Sequence, residues 1–149
     1  MEDTETSDIR SENQTDRYRT LVEESNDIAT IIATDGTMRY VSPAVTRVLG
    51  YDPEELVGNS GYEYVHPDDR ERNADAVEAV LETPDEPQTV EVRFKHADGS
   101  WCWIEATMRN RLEDDVIDGI LLNSREITER KEQERELREL AGEYEALLN

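Results

Sequence analysis

Residues 88–127 constrain the fold most. Two segments alternate apolar and polar side chains, a third reads as a buried strand, and only short turns separate the three. "QTVEVRFKH" sets Val90, Val92 and Phe94 against Glu91, Arg93 and Lys95. "WCWIEATMRNRL" sets Cys102, Ile104, Ala106 and Met108 against Trp101, Trp103, Glu105 and Thr107. "VIDGILLNSREI" is the third, with "ADGS" and "EDD" as the turns. Alternation with period two is the mark of a strand, and turns this short join only antiparallel neighbours. The third strand then runs straight into "REITERKEQERELREL", a charged helical stretch with no Gly or Pro at the boundary.

Upstream, "IATIIATDGTMRYVS" reads as a hairpin whose Asp35-Gly36 pair suits a tight turn with both central residues at positive φ. Ser42 as N-cap and Pro43 at the first helical position predict a short helix through Val45, Val48 and Leu49, ending at Gly50. In "YDPEELVG", Asp52 caps, Pro53 begins, Glu55 completes a capping box and Gly58 ends the turn. "HPDDRERNADAVEAVLE" predicts the main internal helix, with Asp68 and Asp69 in its first turn and Ala74, Val77, Val80 and Leu81 as the buried stripe. "DRYRTLVEES" places Tyr18, Leu21 and Val22 on one face of a short helix capped by Asp16. The class is α+β.

The expected organisation is an acidic, disordered segment over 1–14, a flanking helix over 15–26, a core domain over 27–128 and a linker helix over 129–149 that continues into a downstream domain. The net charge is −21, from 37 Asp and Glu against 16 basic residues, of which only Lys95 and Lys131 are lysine. The acid is spread along the whole chain. That distribution reads as adaptation to a salt-saturated cytoplasm of a halophilic archaeon, since salt screens the self-repulsion. A dedicated acidic face for a basic partner is the competing reading. No basic stripe exists to neutralise phosphates, so direct nucleic-acid binding is not expected. No apolar run is long enough to span a bilayer, and no leader is expected, so the expected location is cytoplasmic. The lone Cys102 makes no internal disulfide and no Cys-based zinc site. There is no glycine-rich phosphate loop, nucleophile elbow or paired-His metal site, so no catalytic or metal residues are expected.

Four stretches in order, "YVSPAVTRVLGYDPEELVG", "VHPDDRE", "HADGSWCWIE" and "REITERK", resemble a PAS domain with its C-terminal PAC motif, over about residues 17–131. The resemblance implies a five-stranded antiparallel sheet in the order 2-1-5-4-3, short helices over one face, and a ligand cavity between them. Ser42 stands where the family often has Asn, and Glu126 where its Asp-Ile-Thr motif has Asp. Cavity candidates by parity and family position are Val77, Leu81, Val92, Phe94, Cys102, Ile104, Met108 and Leu122. Haem-binding relatives use a His on the long helix, which has none here; His66 reads as a helix-start residue and His96 as a solvated turn residue. Light-sensing relatives form a flavin adduct on a helical Cys, whereas Cys102 lies on a strand and reads as a small buried hydrophobe. Haem and a covalent flavin adduct are therefore disfavoured, and the cofactor is left open between a small metabolite and a non-covalent flavin. Trp101 and Trp103 read as sheet-surface packing against the flanking helix or another protomer.

The resemblance gives the charged stretch a role as output. Glu126, Ile127 and Thr128 form the signal junction, with Thr128 as the helix N-cap. Arg130–Glu134, Glu134–Arg138 and Arg135–Glu139 are i, i+4 pairs on an exposed helix. Leu137, Leu140, Tyr144 and Leu147 form a short a/d seam for a homodimer, weakened by Gly142 at a cost of about 1 kcal/mol. The expected function is a sensory domain of a haloarchaeal signal-transduction protein of the histidine-kinase type. It would relay a small-ligand or redox signal to an output domain in the same chain. No His follows His96, so the kinase phosphoacceptor is not in this chain. The alternatives are a ligand-free dimerisation and relay module in a haloarchaeal transducer-like protein or transcriptional regulator, and an acidic adaptor for a basic partner.

Overall fold

The computed structural model describes residues 26–148. The expected N-terminal segment 1–14 and flanking helix 15–26 lie outside the described residues, save Asn26, which sits in a bend. The elements are β1 (Ile28–Ile32), β2 (Met38–Val41), α1 (Ala44–Leu49), α2 (Pro53–Leu56), two 3₁₀ turns (Gly61–Tyr64 and Pro67–Asp69), α3 (Arg70–Glu82), β3 (Gln88–Lys95), β4 (Trp101–Arg111), β5 (Gly119–Glu126) and α4 (Thr128–Leu148). The five strands form one antiparallel sheet ordered β2-β1-β5-β4-β3. The last strand in sequence therefore lies in the middle, paired to β1 through Thr30↔Leu122 and to β4 through Met108↔Leu122.

Period-two alternation sorts the sheet into two faces. Ile28, Ile32, Val90, Val92, Ile104, Ala106, Met108 and Ile120 are buried on the inner face, against Val45, Leu49, Leu56, Val77 and Val80 from the helical cover. Trp103, Glu105, Glu91 and Arg93 lie on the outer face, opposite in parity.

Several local expectations give way to tertiary contacts. The β1–β2 hairpin closes with a three-residue loop. The Gly36 N–H donates to Ala33 O (2.9 Å), and the Ala33 N–H donates to Thr37 O (2.9 Å). Asp35 is not at positive φ; its Oδ1 accepts from the Thr37 N–H at 3.0 Å, which leaves the left-handed position to Gly36 alone, at φ 90°. The Tyr62 ring lies over that glycine, where an added Cβ would sit 2.6 Å from it.

Ser42 does not cap α1. It is fully buried, and its Oγ accepts from the Ala29 N–H (2.9 Å) while its own N–H donates to Ala29 O (2.8 Å). The hydroxyl extends the β1–β2 pairing, and Pro43 occupies the cap position instead. Asp52 does occupy the cap of α2 with Pro53 after it, but no side-chain capping bond forms, and Asp52 and Glu55 are both exposed.

On α3, Ala74 is exposed and Asn73 turns inward with Val77 and Val80. Asp69, just before the helix, is held inward. Positions four, eight and eleven residues on share its face, and residue 74 rotates away. The third strand of the meander begins at Gly119 rather than Val116. Asp114 Oδ1 accepts from the N–H groups of Val116 (2.9 Å) and Ile117 (3.0 Å), which bends the chain and leaves Val116 90% exposed. At Gly119 an added Cβ would lie 2.6 Å from Ile32 O and 3.2 Å from Ile31 Cγ2. Gly119→Ala should therefore destabilise the domain by roughly 1–3 kcal/mol, through forced separation of β1 and β5; urea unfolding in molar salt measures it, and an unchanged midpoint would refute the close approach.

Candidate functional site

A cavity of about 80 Å³ lies between the inner sheet face and the helical cover. All five strands contribute to its floor, and α1, α2, α3 and the Gly61–Tyr64 turn to its roof. Of the expected lining, Val77, Val92, Phe94, Ile104, Met108 and Leu122 face it. Leu81 and Cys102 do not. Leu81 lies one turn beyond Val77, the last lining residue of α3, and Cys102 lies one inward position nearer the β3–β4 turn than Ile104. Both instead pack against the core from its edge. Burial raises the Cys102 thiol pKa, with smaller contributions from Glu126 and Asp98, so it is a neutral thiol rather than a reactive thiolate.

A buried carboxylate, Asp69, ties the cover to the sheet. Asp69 is 2% exposed. Its Oδ2 accepts from Arg93 N (2.8 Å) and Arg93 Nε (2.9 Å), and its Oδ1 from Arg93 Nη2 (2.9 Å), with Arg72 Nη2 at 3.1 Å. Burial pushes the carboxyl up, but hydrogen bonds from the Arg93 side chain and backbone, then the charges of Arg93 and Arg72, outweigh it and hold the pKa at about 2. His66 supports the same corner, its Nδ1 accepting from the Asp68 N–H at 3.1 Å, with its ring 4.7 Å from that of Trp101. His96 is half-buried, and its Nδ1 accepts from the Asp98 N–H at 3.1 Å. Among the described residues no group of three His, Cys, Asp or Glu could hold a metal.

From the floor, β5 leads out of the fold. Two residues after Ser124, the chain reaches the junction. Ile127 is 6% exposed, and its N–H donates to Trp103 O at 2.8 Å. Thr128 does not act as the N-cap: it is the first residue of α4, and its Oγ1 accepts from the Trp103 N–H at 3.0 Å. The first helical bond runs from the Lys131 N–H to Ile127 O (3.0 Å). The junction thus continues the β4–β5 ladder, with a side-chain oxygen in place of a backbone carbonyl. Glu126 is exposed and pairs in register with Ile104.

The first turn of α4 is then latched to the outer sheet face. Lys131 Nζ lies 2.9 Å from Glu91 Oε1, Arg130 bonds Glu91 and lies 3.6 Å from Glu105, and Lys131 sits 4.8 Å over the Trp103 ring. Arg93 lies over the same ring at 5.0 Å, so Trp103 packs between two cations. The Glu91 pKa is lowered, first by the Lys131 hydrogen bond. Beyond this turn the helix leaves the domain. Arg130–Glu134 and Arg135–Glu139 pair at 3.6 and 3.9 Å. Leu137, Leu140, Tyr144 and Leu147 are 62–85% exposed, on one stripe.

Sequence reasoning missed the Asp69–Arg93 pin, the inward Asn73 and Thr30, and the Glu91–Lys131 latch. Parity alone could have placed Thr30 inward, since it alternates with Ile28 and Ile32.

The family described as PAS fold matches residues 38–118. The chain is 35% identical to basic helix-loop-helix ARNT-like protein 2 of Gallus gallus over 82 residues, which is 55% of this chain but 13% of that protein. Among solved structures, the PAS domain of an HTR-like protein from Haloarcula marismortui is 29% identical with a TM-score of 0.64, over 83% of this chain and 99% of that one. A sensory box histidine kinase/response regulator from Burkholderia thailandensis is 27% identical with a TM-score of 0.69, over 87% and 98%.

Asp69→Asn should cost roughly 2 kcal/mol at neutral pH, from a carboxyl held at about 2 against an ordinary 3.8. The folded pKa is depressed, so this stability is complete above about pH 4 and is lost as pH falls toward 2. Denaturation curves of the two proteins should differ at pH 7 and converge near pH 2; a constant gap would show that the carboxylate charge is not what pins the cover.

Proposed function

From the premise that this chain belongs to the PAS fold family, we propose that it is a sensory domain of a cytoplasmic, haloarchaeal signal-transduction protein of the histidine-kinase type. The occupancy of the cavity is the signal, and α4 carries it to an output domain in the same chain. The observation that carries this reading is the continuity of β5. Leu122 and Ser124 line the cavity, and the same strand reaches the Thr128 junction four residues later. A shift of the floor that suits a bound ligand acts directly on the two Trp103 hydrogen bonds. It thereby acts on the angle at which α4 leaves, a population shift between latched and released helix. The kinase-type neighbour and the spread of acid support the finer assignment.

The exposed stripe of α4 is the seam through which a second copy joins, so that the bias passes to a paired helix. Fewer than two heptads of seam lie within this helix, so the pair forms weakly without further chain. A ligand-free relay is the second reading, favoured by the small size of the cavity: its 80 Å³ is well below the roughly 300–1,000 Å³ common for cofactor sites.

Native mass spectrometry in volatile salt and amide exchange in molar salt separate the two readings. The sensor reading expects a bound small molecule and exchange over residues 126–131 that slows when it is present. A dry domain whose junction exchanges identically under all ligands would leave only the relay.

Two substitutions test the output path. Thr128→Val should speed exchange of the Trp103 amide about fivefold, from loss of one hydrogen bond of roughly 1 kcal/mol. Leu140→Glu should abolish concentration-dependent dimers in sedimentation; dimers that persist would place the interface elsewhere.

A further inference from the structure

Two hydroxyls on the cavity floor are not used by the fold. Thr30 on β1 is 8% exposed, Ser124 on β5 is half-buried, and both line the cavity. The β1–β5 register pairs Thr30 with Leu122 and Ile28 with Ser124, so the two hydroxyls are diagonal neighbours on one face. Asn73 on α3 also lines the cavity. None of these three side chains has a hydrogen-bond partner among the described residues, whereas the buried Ser42 hydroxyl accepts from the Ala29 N–H. No side-chain polar atom among the described residues is sealed from solvent without a partner, so the Thr30 oxygen opens onto space, and on that face the space is the cavity.

Around these groups the walls are apolar, and among the described residues no Asp, Glu, Lys, Arg or His lines the cavity. Tyr62 is the one ionisable oxygen acid there, and burial raises its pKa, so it stays neutral. An ion taken into such a site would lose its hydration with nothing to replace it. A hydrocarbon would leave three polar groups without partners. The volume of 80 Å³ is about half that of an apolar cavity of about 150 Å³ that holds benzene, which limits the occupant to about three to five heavy atoms. Met38 and Met108 in the walls allow slightly more.

We propose that the ligand is a small uncharged alcohol or diol, its hydroxyl end held by Thr30, Ser124 and Asn73 and its carbon end against the apolar wall. This rests on the reading of the cavity as the sensing site. A hydroxyl both donates and accepts, which matches two Ser/Thr hydroxyls and an amide better than a carbonyl or an ether does.

The test is a titration of methyl-labelled protein in molar salt, following Met38 and Met108. The probes are 1,2-propanediol, 1-propanol, propionate, propylammonium and xenon. The alcohols should shift both methyls and saturate in roughly the millimolar range. The two ions should not shift them. Thr30→Val and Ser124→Ala should each weaken the alcohols about tenfold and leave xenon binding intact. Thr30→Val should also raise the melting temperature, because a methyl replaces an unpaired hydroxyl. Ions that bind as tightly as alcohols, or alcohol affinity unchanged in both variants, would overturn the ligand class. Alcohols that bind as expected without slowing exchange over residues 126–131 would instead uphold the ligand class and overturn the sensing role.

Discussion

The structure depends on where β5 sits. It is the last strand in the chain and the central strand of the sheet, hydrogen-bonded to β1 on one side and β4 on the other. Within the sheet, the β1–β2 hairpin is joined to β4 and β3 through it. The space that β5 fills is tight, with Gly119 against the Ile32 carbonyl. The β1–β5 pairing joins segments far apart in sequence, and contacts of that kind slow folding. It also means that the strand beneath the cavity is the strand that leaves the domain.

Two physical ties set the geometry around that strand. At the β3 edge, the Asp69–Arg93 pair holds the start of α3 to the sheet and so fixes which face of the helix looks into the cavity. On the outer side, Glu91 and Glu105 hold Arg130 and Lys131, and so the first turn of α4. Arg93 belongs to both, since its guanidinium bonds Asp69 and lies over Trp103, the ring that Lys131 also covers. Cover, sheet and exit helix are thereby in contact through adjacent residues of β3. The Asp69 tie is buried and the outer one partly exposed, so salt screens the outer one more strongly. In a chain of net charge −21, that screening also relieves the repulsion around the latch.

Much of this was legible in the sequence. Alternation gave β3 and β4 and both their faces, the apolar run after them gave β5, and the resemblance supplied the sheet order. Six of the eight cavity candidates face the cavity. The misreadings share one cause. Ser42 and Thr128 were read as helix caps because each precedes or opens a helix, yet each hydroxyl accepts from a strand N–H instead. A local rule assigns such oxygens to the nearest orphan donor in sequence, and the fold offers donors from Ala29 and Trp103 that are distant in sequence and close in space. The pairing of Asp69 with Arg93, 24 residues on, was invisible for the same reason. A first-turn carboxylate satisfies the helix-dipole rule whether or not it is buried.

The sequence by itself determined the elements, the apolar faces of β3 and β4 and the exposed stripe of α4. These follow from periodicity and composition, which act along the chain. Only the tertiary structure decided the rotation of α3, the partners of the buried Asp69, the space left over Thr30 and Ser124, and the attachment of α4 to the outer sheet face. Each of these depends on how closely two distant segments approach, and alternation along one segment carries no information about that distance.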